Sequence, residues 1–354
     1  MINIKDLKDF SNKVLRAVNC SEAEASIASD VLVEADARGI YSHGTARLQR
    51  YCEKMSSGSI EVGKEPKIVY ETPISVVIDG NNGVGQYVSD NAVKLCIQKA
   101  NEKGFCMVTV RNSNHYGIAG YYAEKGLAHD MIGFSATNTT PLVIPTFGKT
   151  MLLGTNPIAV SFPTDNKPVL IDMATSVVPR GKLEVYSRLN KKMPHGWATD
   201  EKGISTDDPS KILKNITGKK GGGILPLGGE GEEHGGHKGY GLALMVELLT
   251  AGISMGSYSH ETYTNKGGIS HIFAMIKLDL FGSPKDIKRN ISRMIDDLRR
   301  SEKASGQDRI YIHGEKESEA RQRASQDGIR LDKETVMSLK GLSQEYKVEW
   351  PEGL

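Results

Sequence analysis

The chain has 354 residues and a formal net charge of +2, with 45 Lys and Arg against 43 Asp and Glu. That length exceeds the usual single core, so two domains are expected, and the balanced, interspersed charge argues for neither nucleic acid nor an anionic membrane as a partner. Apolar runs such as Leu242 to Ile253 are too short to span a bilayer, Met1 to Phe10 lacks a basic-then-apolar leader, and Cys20, Cys52, Cys96 and Cys106 lack CxxC spacing, which reads as reduced thiols in a cytoplasmic protein with no zinc or disulfide framework.

The chain begins with helices. Leu7, Phe10, Val14, Leu15 and Val18 form an apolar stripe over Asp6 to Val18. Ser21 and Glu24 have capping-box spacing for a helix that runs to Arg38 and stops at Gly39. In Tyr41 to Met55, YSHGTARLQRYCEKM, Ser42 reads as an N-cap and the segment as a third helix. His43, Arg47 and Tyr51 then recur every four residues along one face. A histidine, a guanidinium and a phenol in a row suit a carboxylate, which Arg holds by two parallel hydrogen bonds; a solvated helix face is the alternative reading.

Lys67 to Asp79 switches to strand chemistry, and strands and helices alternate from there to Gly282. A helix from Val88 to Lys103 leads into a strand, Phe105 to Val110. The polar knot Arg111 to Gly117, RNSNHYG, follows it and precedes a helix over Ile118 to Ala128. Open α/β sheets place their chemistry at such strand-to-helix crossings. His115 is the one side chain of that knot that titrates near neutral pH, which makes it the candidate general acid/base; a histidine satisfied by neighbouring backbone is the alternative. Next come strands at Met131 to Asn138, Ile158 to Pro163 and Pro168 to Met173, then a helix from Val177 to Leu189 and the turn-rich Trp197 to Asp208. Gly239 to Ser254 reads as a long helix and His271 to Phe281 as a buried strand. Helices return at Pro284 to Ser301 and Asp332 to Tyr346, with a short strand, Arg309 to His313, between them. The expected organisation is therefore a helical domain assembled from residues 1–66 and the C-terminal segment 283–354, around a mixed α/β domain at 67–282.

Three glycine-rich stretches bear on a nucleotide. Gly80 to Gln86, GNNGVGQ, lacks GxGxxG spacing and an acidic residue about 20 positions on, so a Rossmann site is not expected there. Gly148 to Thr150 lacks the Walker glycine, since Val143 stands in its place. Gly221 to Gly241 ends in Lys238 at a helix start, where N–H groups and the dipole favour an anion, so a phosphate-bearing ligand or a mobile surface loop both fit. Glu232, Glu233, His234 and His237 in that run carry metal-ligating groups, but a glycine loop fixes no geometry, and no metal site is assigned.

Ser42 to Tyr51 (SHGTARLQRY), Asn112 to Gly117 (NSNHYG), Gly154 to Pro163 (GTNPIAVSFP), Asp172 to Ser176 (DMATS), Gly235 to Leu244 (GGHKGYGLAL) and Ile312 to Glu317 (IHGEKE) occur in the order and spacing of one known family. Across its whole length the chain resembles the malate/L-lactate dehydrogenase family of the sulfolactate dehydrogenase type, which also includes ureidoglycolate dehydrogenase and ketimine and diketogulonate reductases. The resemblance implies an NAD- or NADP-dependent dehydrogenase on a non-Rossmann α/β fold, normally a homodimer. It implies that His115 is the proton donor and acceptor and Arg47 the clamp for the substrate carboxylate, with His43, Tyr51 and Thr139 touching substrate. Thr175, Ser176, Val177, Lys238, His313, Gly314 and Glu315 match dinucleotide-contacting positions. The loop Glu230 to Gly236 is longer than in the ureidoglycolate branch and points to malate and oxaloacetate as the pair interconverted. Rival readings are a reductase of lactate, sulfolactate, ureidoglycolate, cyclic-imine or keto-sugar-acid type, a metal-dependent hydrolase on Glu232, Glu233, His234 and His237, and a nucleotide-binding protein without turnover.

Overall fold

The computed structural model describes residues 1–263 and 268–351. Helix α1 (Ile4–Ala17) buries Leu7, Phe10, Val14 and Leu15 from its apolar stripe. Helix α2 (Glu22–Ala37) opens on the expected capping box: the Glu24 N–H donates to Ser21 Oγ at 3.2 Å and the Ser21 N–H donates to the Glu24 carboxylate at 2.8 Å. The third helix departs from expectation. Tyr41–His43 and Thr45–Arg47 are separate 3-10 turns, and α3 spans only Leu48–Ser56. The cause is Asp36, buried at the end of α2, whose Oδ2 accepts the Thr45 N–H at 2.8 Å and the Thr45 hydroxyl at 2.6 Å. Gly44 lies extended against that carboxylate, and a Cβ there would sit 1.7 Å from Asp36 Oδ1. Ser42 is consequently no cap; its hydroxyl pairs with His43 Nδ1 at 2.9 Å.

Residues 67–79 form a hairpin of two strands, β1 (Lys67–Glu71) and β2 (Ser75–Asp79). Helix α4 (Gly85–Lys103) begins three residues before the expected Val88, and β3 (Phe105–Ser113) runs past Val110 through a register shift before Ser113. The next helix is a single turn, α5 (Gly120–Ala123), continued as 3-10 structure. Strands β4 (Met131–Thr137), β5 (Ile158–Phe162) and β6 (Val169–Met173) lie where the alternation placed them. Beyond them come α6 (Arg180–Arg188), β7 (Ala198–Thr199), α7 (Pro209–Gly218), β8 (Gly223–Ile224) and α8 (Gly236–Glu247), the last continued by a π-turn over Leu248–Gly252. Strand β9 (Ile269–Lys277) stops before a 3-10 turn at Leu278–Leu280, short of the expected Phe281. Among the described residues the main sheet has the order β1-β2-β3-β9-β4-β5-β6, with β2–β3 its one parallel pair. This is a mixed, mostly antiparallel sheet, with α4 and Tyr116 to Ala123 packed on its apolar core.

The chain ends in α9 (Pro284–Arg300), α10 (Glu315–Asp327) and α11 (Lys333–Tyr346). The strand expected at Arg309 to His313 is absent: that stretch is irregular, and its contact with the sheet is the Leu170 N–H donating to the His313 carbonyl at 3.2 Å. One core cluster joins both ends of the chain, with Leu7, Phe10, Leu32, Leu48 and Cys52 against Ala324, Ile329, Leu339 and Leu342. Helix α9 buries only Ile295 and is tied elsewhere, by Lys288 to Asp130 at 2.8 Å. No described helix is long and apolar enough to cross a membrane.

Candidate active site

The knot at the end of β3 is tied to the backbone of the Asn82–Gly85 turn. Asn114 Nδ2 donates to the Asn82 and Gly83 carbonyls, both at 2.9 Å. A Cβ on Gly85, the first residue of α4, would lie 2.2 Å from the Asn114 carbonyl and 2.5 Å from that of His115, so only glycine lets the helix start so close. Gly117 turns the chain at φ +91° over Val31. Beneath the knot, Tyr116 stacks on His271 at 4.6 Å. The His271 ring bridges Ser113 of β3 and Thr137 of β4 at 2.8 Å each, and burial holds it neutral with a pKa lowered to about 3.

His115 projects from this base into a cavity whose other wall is the Tyr41–Arg47 turn and α3. Its Nδ1 lies 2.6 Å from Tyr51 Oη and 3.3 Å from the Gly117 N–H, so the ring's δ side is occupied by protein. The His43 ring stacks on it at 5.5 Å. Arg47 lines the same cavity, its Nε tied to the Ser42 carbonyl at 2.6 Å. His43, Arg47, Tyr51 and His115 therefore meet, although no continuous helix carries the first three. Burial, then His43 and the cations Arg47, Arg50 and Lys54, push the His115 pKa well below 6.5. Burial and Arg47 lower that of His43 to about 4. Thr139 also lines the cavity, but its Oγ1 accepts the Thr155 N–H at 3.0 Å. Behind it, Glu247 is buried and satisfied by the Ser259 hydroxyl, the Ser259 N–H at 3.1 Å and Asn156 Nδ2 at 2.9 Å, which fixes the Gly154–Asn156 wall.

The remaining expected site residues lie outside this cavity. Thr175 is fully buried, its hydroxyl donating to the Thr155 and Asn156 carbonyls at 3.2 and 3.1 Å, directly behind the wall. Ser176 caps the Val178 carbonyl at 3.0 Å, and the Val177 N–H pairs with the Leu225 carbonyl. His313 and Gly314 line a second, small cavity with Arg38 and Asp172. Burial raises the Asp172 pKa to about 6. The Glu315 carboxylate is engaged by Arg299, Arg309 and the Ile312 N–H, and its own N–H donates to the Ile312 carbonyl at 3.1 Å, so both are already occupied within the protein. Lys238 is exposed in the first turn of α8. Glu232, Glu233, His234 and His237 are exposed, and no set of three or more His, Cys, Asp or Glu among the described residues is arranged to hold a metal.

The surroundings of these residues suit a dinucleotide. Helix α8 starts at Gly235, φ +85°, without a side-chain cap and with Lys238 beside it, which leaves N–H donors and a positive side chain for phosphate. Gly314, φ +90°, packs so closely on Leu170 that a Cβ there would sit 3.0 Å from the Leu170 Cβ, at the lining of the second cavity. Sequence reasoning passed over Arg50, Lys54, Arg180 and Tyr263, all of which line the His115 cavity. Arg50 and Lys54 carried a legible signal, an i,i+4 pair flanking Tyr51; Tyr263 and Arg180 carried none.

A sequence profile described as malate/L-lactate dehydrogenase matches residues 2–340. The chain is 46% identical over 314 residues to a malate dehydrogenase of Pyrococcus abyssi, covering 88% of this chain and 85% of that one. It is 37% identical to a malate/(S)-sulfolactate dehydrogenase of Methanothermus fervidus, over 99% of each. The crystal structure of malate dehydrogenase from Entamoeba histolytica superposes with a TM-score of 0.94 at 36% identity, over 99% of each chain.

Proposed function

The chain belongs to the malate/L-lactate dehydrogenase family, an oxidoreductase acting on the CH–OH group of a 2-hydroxy acid, and on that premise we propose that it interconverts malate and oxaloacetate with His115 as acid/base and Arg47 as carboxylate clamp. The observation that carries the reading is the hydrogen bond of Tyr51 Oη to His115 Nδ1 at 2.6 Å inside the cavity that Arg47 shares. It leaves Nε2 as the nitrogen for substrate.

The chemistry follows from those groups. Arg47 takes the C1 carboxylate and orients the acid. With its proton on Nδ1, donated to Tyr51 Oη, the His115 ring presents a lone pair at Nε2 and accepts the substrate hydroxyl proton during oxidation. The imidazolium so formed keeps its Nδ1–H bond to Tyr51, and in reduction Nε2 returns its proton to the carbonyl oxygen. A phenol both donates and accepts, so Tyr51 supports either state of the ring. Thr139 and Thr155 line the far side of the cavity. A nicotinamide dinucleotide, when bound, would supply the hydride chemistry at C2, and Ser176, Val177, Lys238 and the backbone of His313 and Gly314, with Glu315 fixing that turn, are the groups we assign to holding it, with buried Thr175 bracing the Gly154–Asn156 wall.

We divide the chain into a helical domain, 1–66 with 283–354, and a non-Rossmann cofactor- and substrate-binding domain at 67–282; the cluster that packs α1 and α3 against α10 and α11 supports the joining of the two ends, while α9 is tied to Asp130 of the second unit. A homodimer is supported by the apolar row Leu244, Met245, Leu248, Ile253 and Met255, exposed on α8 and the segment after it. The four free, buried cysteines support a cytoplasmic setting. The test is a panel of oxaloacetate, pyruvate, sulfopyruvate, ureidoglycolate and a cyclic ketimine with NADH and NADPH, followed by absorbance. Fastest turnover is expected on oxaloacetate; exclusive turnover of the ketimine would overturn the malate assignment.

A further inference from the structure

The His115 cavity is more cationic than one carboxylate requires. Arg47, Arg50, Lys54 and Arg180 line it, and none of its lining residues among those described is Asp or Glu. Arg180 has its own acid, Glu184 at 2.9 Å. Among the described residues no carboxylate pairs with Arg47, Arg50 or Lys54. Lys54 Nζ instead stands 3.8 Å over the Tyr263 ring, and the residue is half-buried. Like charges gathered around one cleft repel each other, and anionic groups entering between them relieve that repulsion. Arg47, matched to one carboxylate, leaves Arg50 and Lys54 over. Arg50 follows Arg47 by about one helical turn, roughly 5 Å of rise, which is comparable with the separation of the two anionic ends of a four-carbon diacid. Lys54 lies one turn farther along α3.

We propose that Arg50 and Lys54 form a second anion subsite that grips the distal charge of the substrate, so that the enzyme selects dianionic 2-hydroxy acids, bearing a carboxylate or sulfonate at the far end, over monoanionic ones such as lactate. The inference rests on the dehydrogenase reading above and adds the substrate class and the residues that set it. Arg47 and His115 act on atoms shared by every 2-hydroxy acid; Arg50 and Lys54, besides their weaker field at the His115 ring, act on the end where these acids differ.

The test compares kcat/KM for oxaloacetate, sulfopyruvate and pyruvate in the wild type, Arg50→Gln, Lys54→Met and Lys54→Arg, alongside calorimetric binding of malate and lactate to the same proteins. Arg50→Gln and Lys54→Met should each lower kcat/KM for both dianions by about 10- to 100-fold, the weight of one hydrogen bond to a charged group, and change pyruvate by less than about threefold. Malate affinity should fall in parallel, while Lys54→Arg keeps the preference for dianions. Equal losses on oxaloacetate and pyruvate, or no loss on either, would overturn the subsite. Absence of wild-type turnover on all three acids would instead sink the dehydrogenase reading, and the malate and lactate titrations would still judge the subsite by themselves.

Discussion

Replacing Tyr51 by Phe removes the hydroxyl that meets His115. The Tyr51 ring, carried on α3, is buried, and its hydroxyl lies 2.6 Å from His115 Nδ1 and at the longer distance of 3.5 Å from the His115 carbonyl, so Phe fills the same space and removes only Oη. Without Oη the neutral ring is free to rest with its proton on Nε2 and to accept the Gly117 N–H at Nδ1, 3.3 Å away, a tautomer that has no lone pair to take the substrate hydroxyl proton. The imidazolium has no such alternative: its Nδ1–H loses its acceptor in a cleft where burial and Arg47, Arg50 and Lys54 already disfavour the charged ring. A hydrogen bond to a charged group is worth about 1.5–3 kcal/mol, and each ~1.4 kcal/mol is tenfold in rate. Tyr51→Phe should therefore reduce kcat for malate oxidation about 10- to 100-fold with KM for malate nearly unchanged. The assay is initial-rate kinetics by NADH absorbance, with the melting temperature as a control for folding. A raised KM at normal kcat would place Tyr51 Oη on the substrate rather than on the imidazole, and the proton-handling argument would be wrong.

Other expectations follow from neighbouring residues. Arg47→Lys keeps the charge but loses the two-pronged grip, so KM for oxaloacetate should rise by about tenfold or more while NADH affinity, read by fluorescence, stays put; a weakened NADH affinity at normal KM would reassign Arg47. Gly44→Ala drives a Cβ to 1.7 Å from Asp36 Oδ1 and should destabilise the fold by about 1–3 kcal/mol, seen as a lower melting temperature; an unchanged one would show that the Asp36 clamp yields freely. Asp36 itself, raised from 3.8 to about 7 chiefly by burial, holds in the folded state a proton that the unfolded chain has already released. Stability should accordingly fall as pH rises from about 4 to 7, by roughly 4 kcal/mol at most, and Asp36→Asn should flatten that slope in urea titrations; an equally steep slope in the variant would clear Asp36.

The site was more legible than the reasons for it. His43, Arg47 and Tyr51 meet His115, yet the helical spacing that singled them out is not what brings them there, since Asp36 captures Thr45 and breaks the helix at Gly44. That partner lies nine residues upstream on another element, and no local pattern announces it. The strand read at Arg309 to His313 has the right alternation but no partner strand, and a strand exists only by pairing. Helix α10 was missed because its face carries almost no apolar residue. It is fixed by ion pairs, Arg321 with Glu34 and Arg299 and Arg309 with Glu315, which leave no periodic trace. Helix α7 was readable in its Asp208 cap, Pro209 and the pair Ile212 and Ile216, and was obscured by the turn-rich run before it. The sheet order, with β9 inserted between β3 and β4, joins residues more than 130 positions apart and no spacing in the chain encodes it.

The most direct measurement of the account is turnover of oxaloacetate by His115→Ala set beside NADH binding to the same protein. Removal of the imidazole should lower kcat by a factor on the order of 10² or more while NADH binds as before. Near-normal turnover in that variant would contradict the account, because the proton would then travel by some group other than the ring at the end of β3.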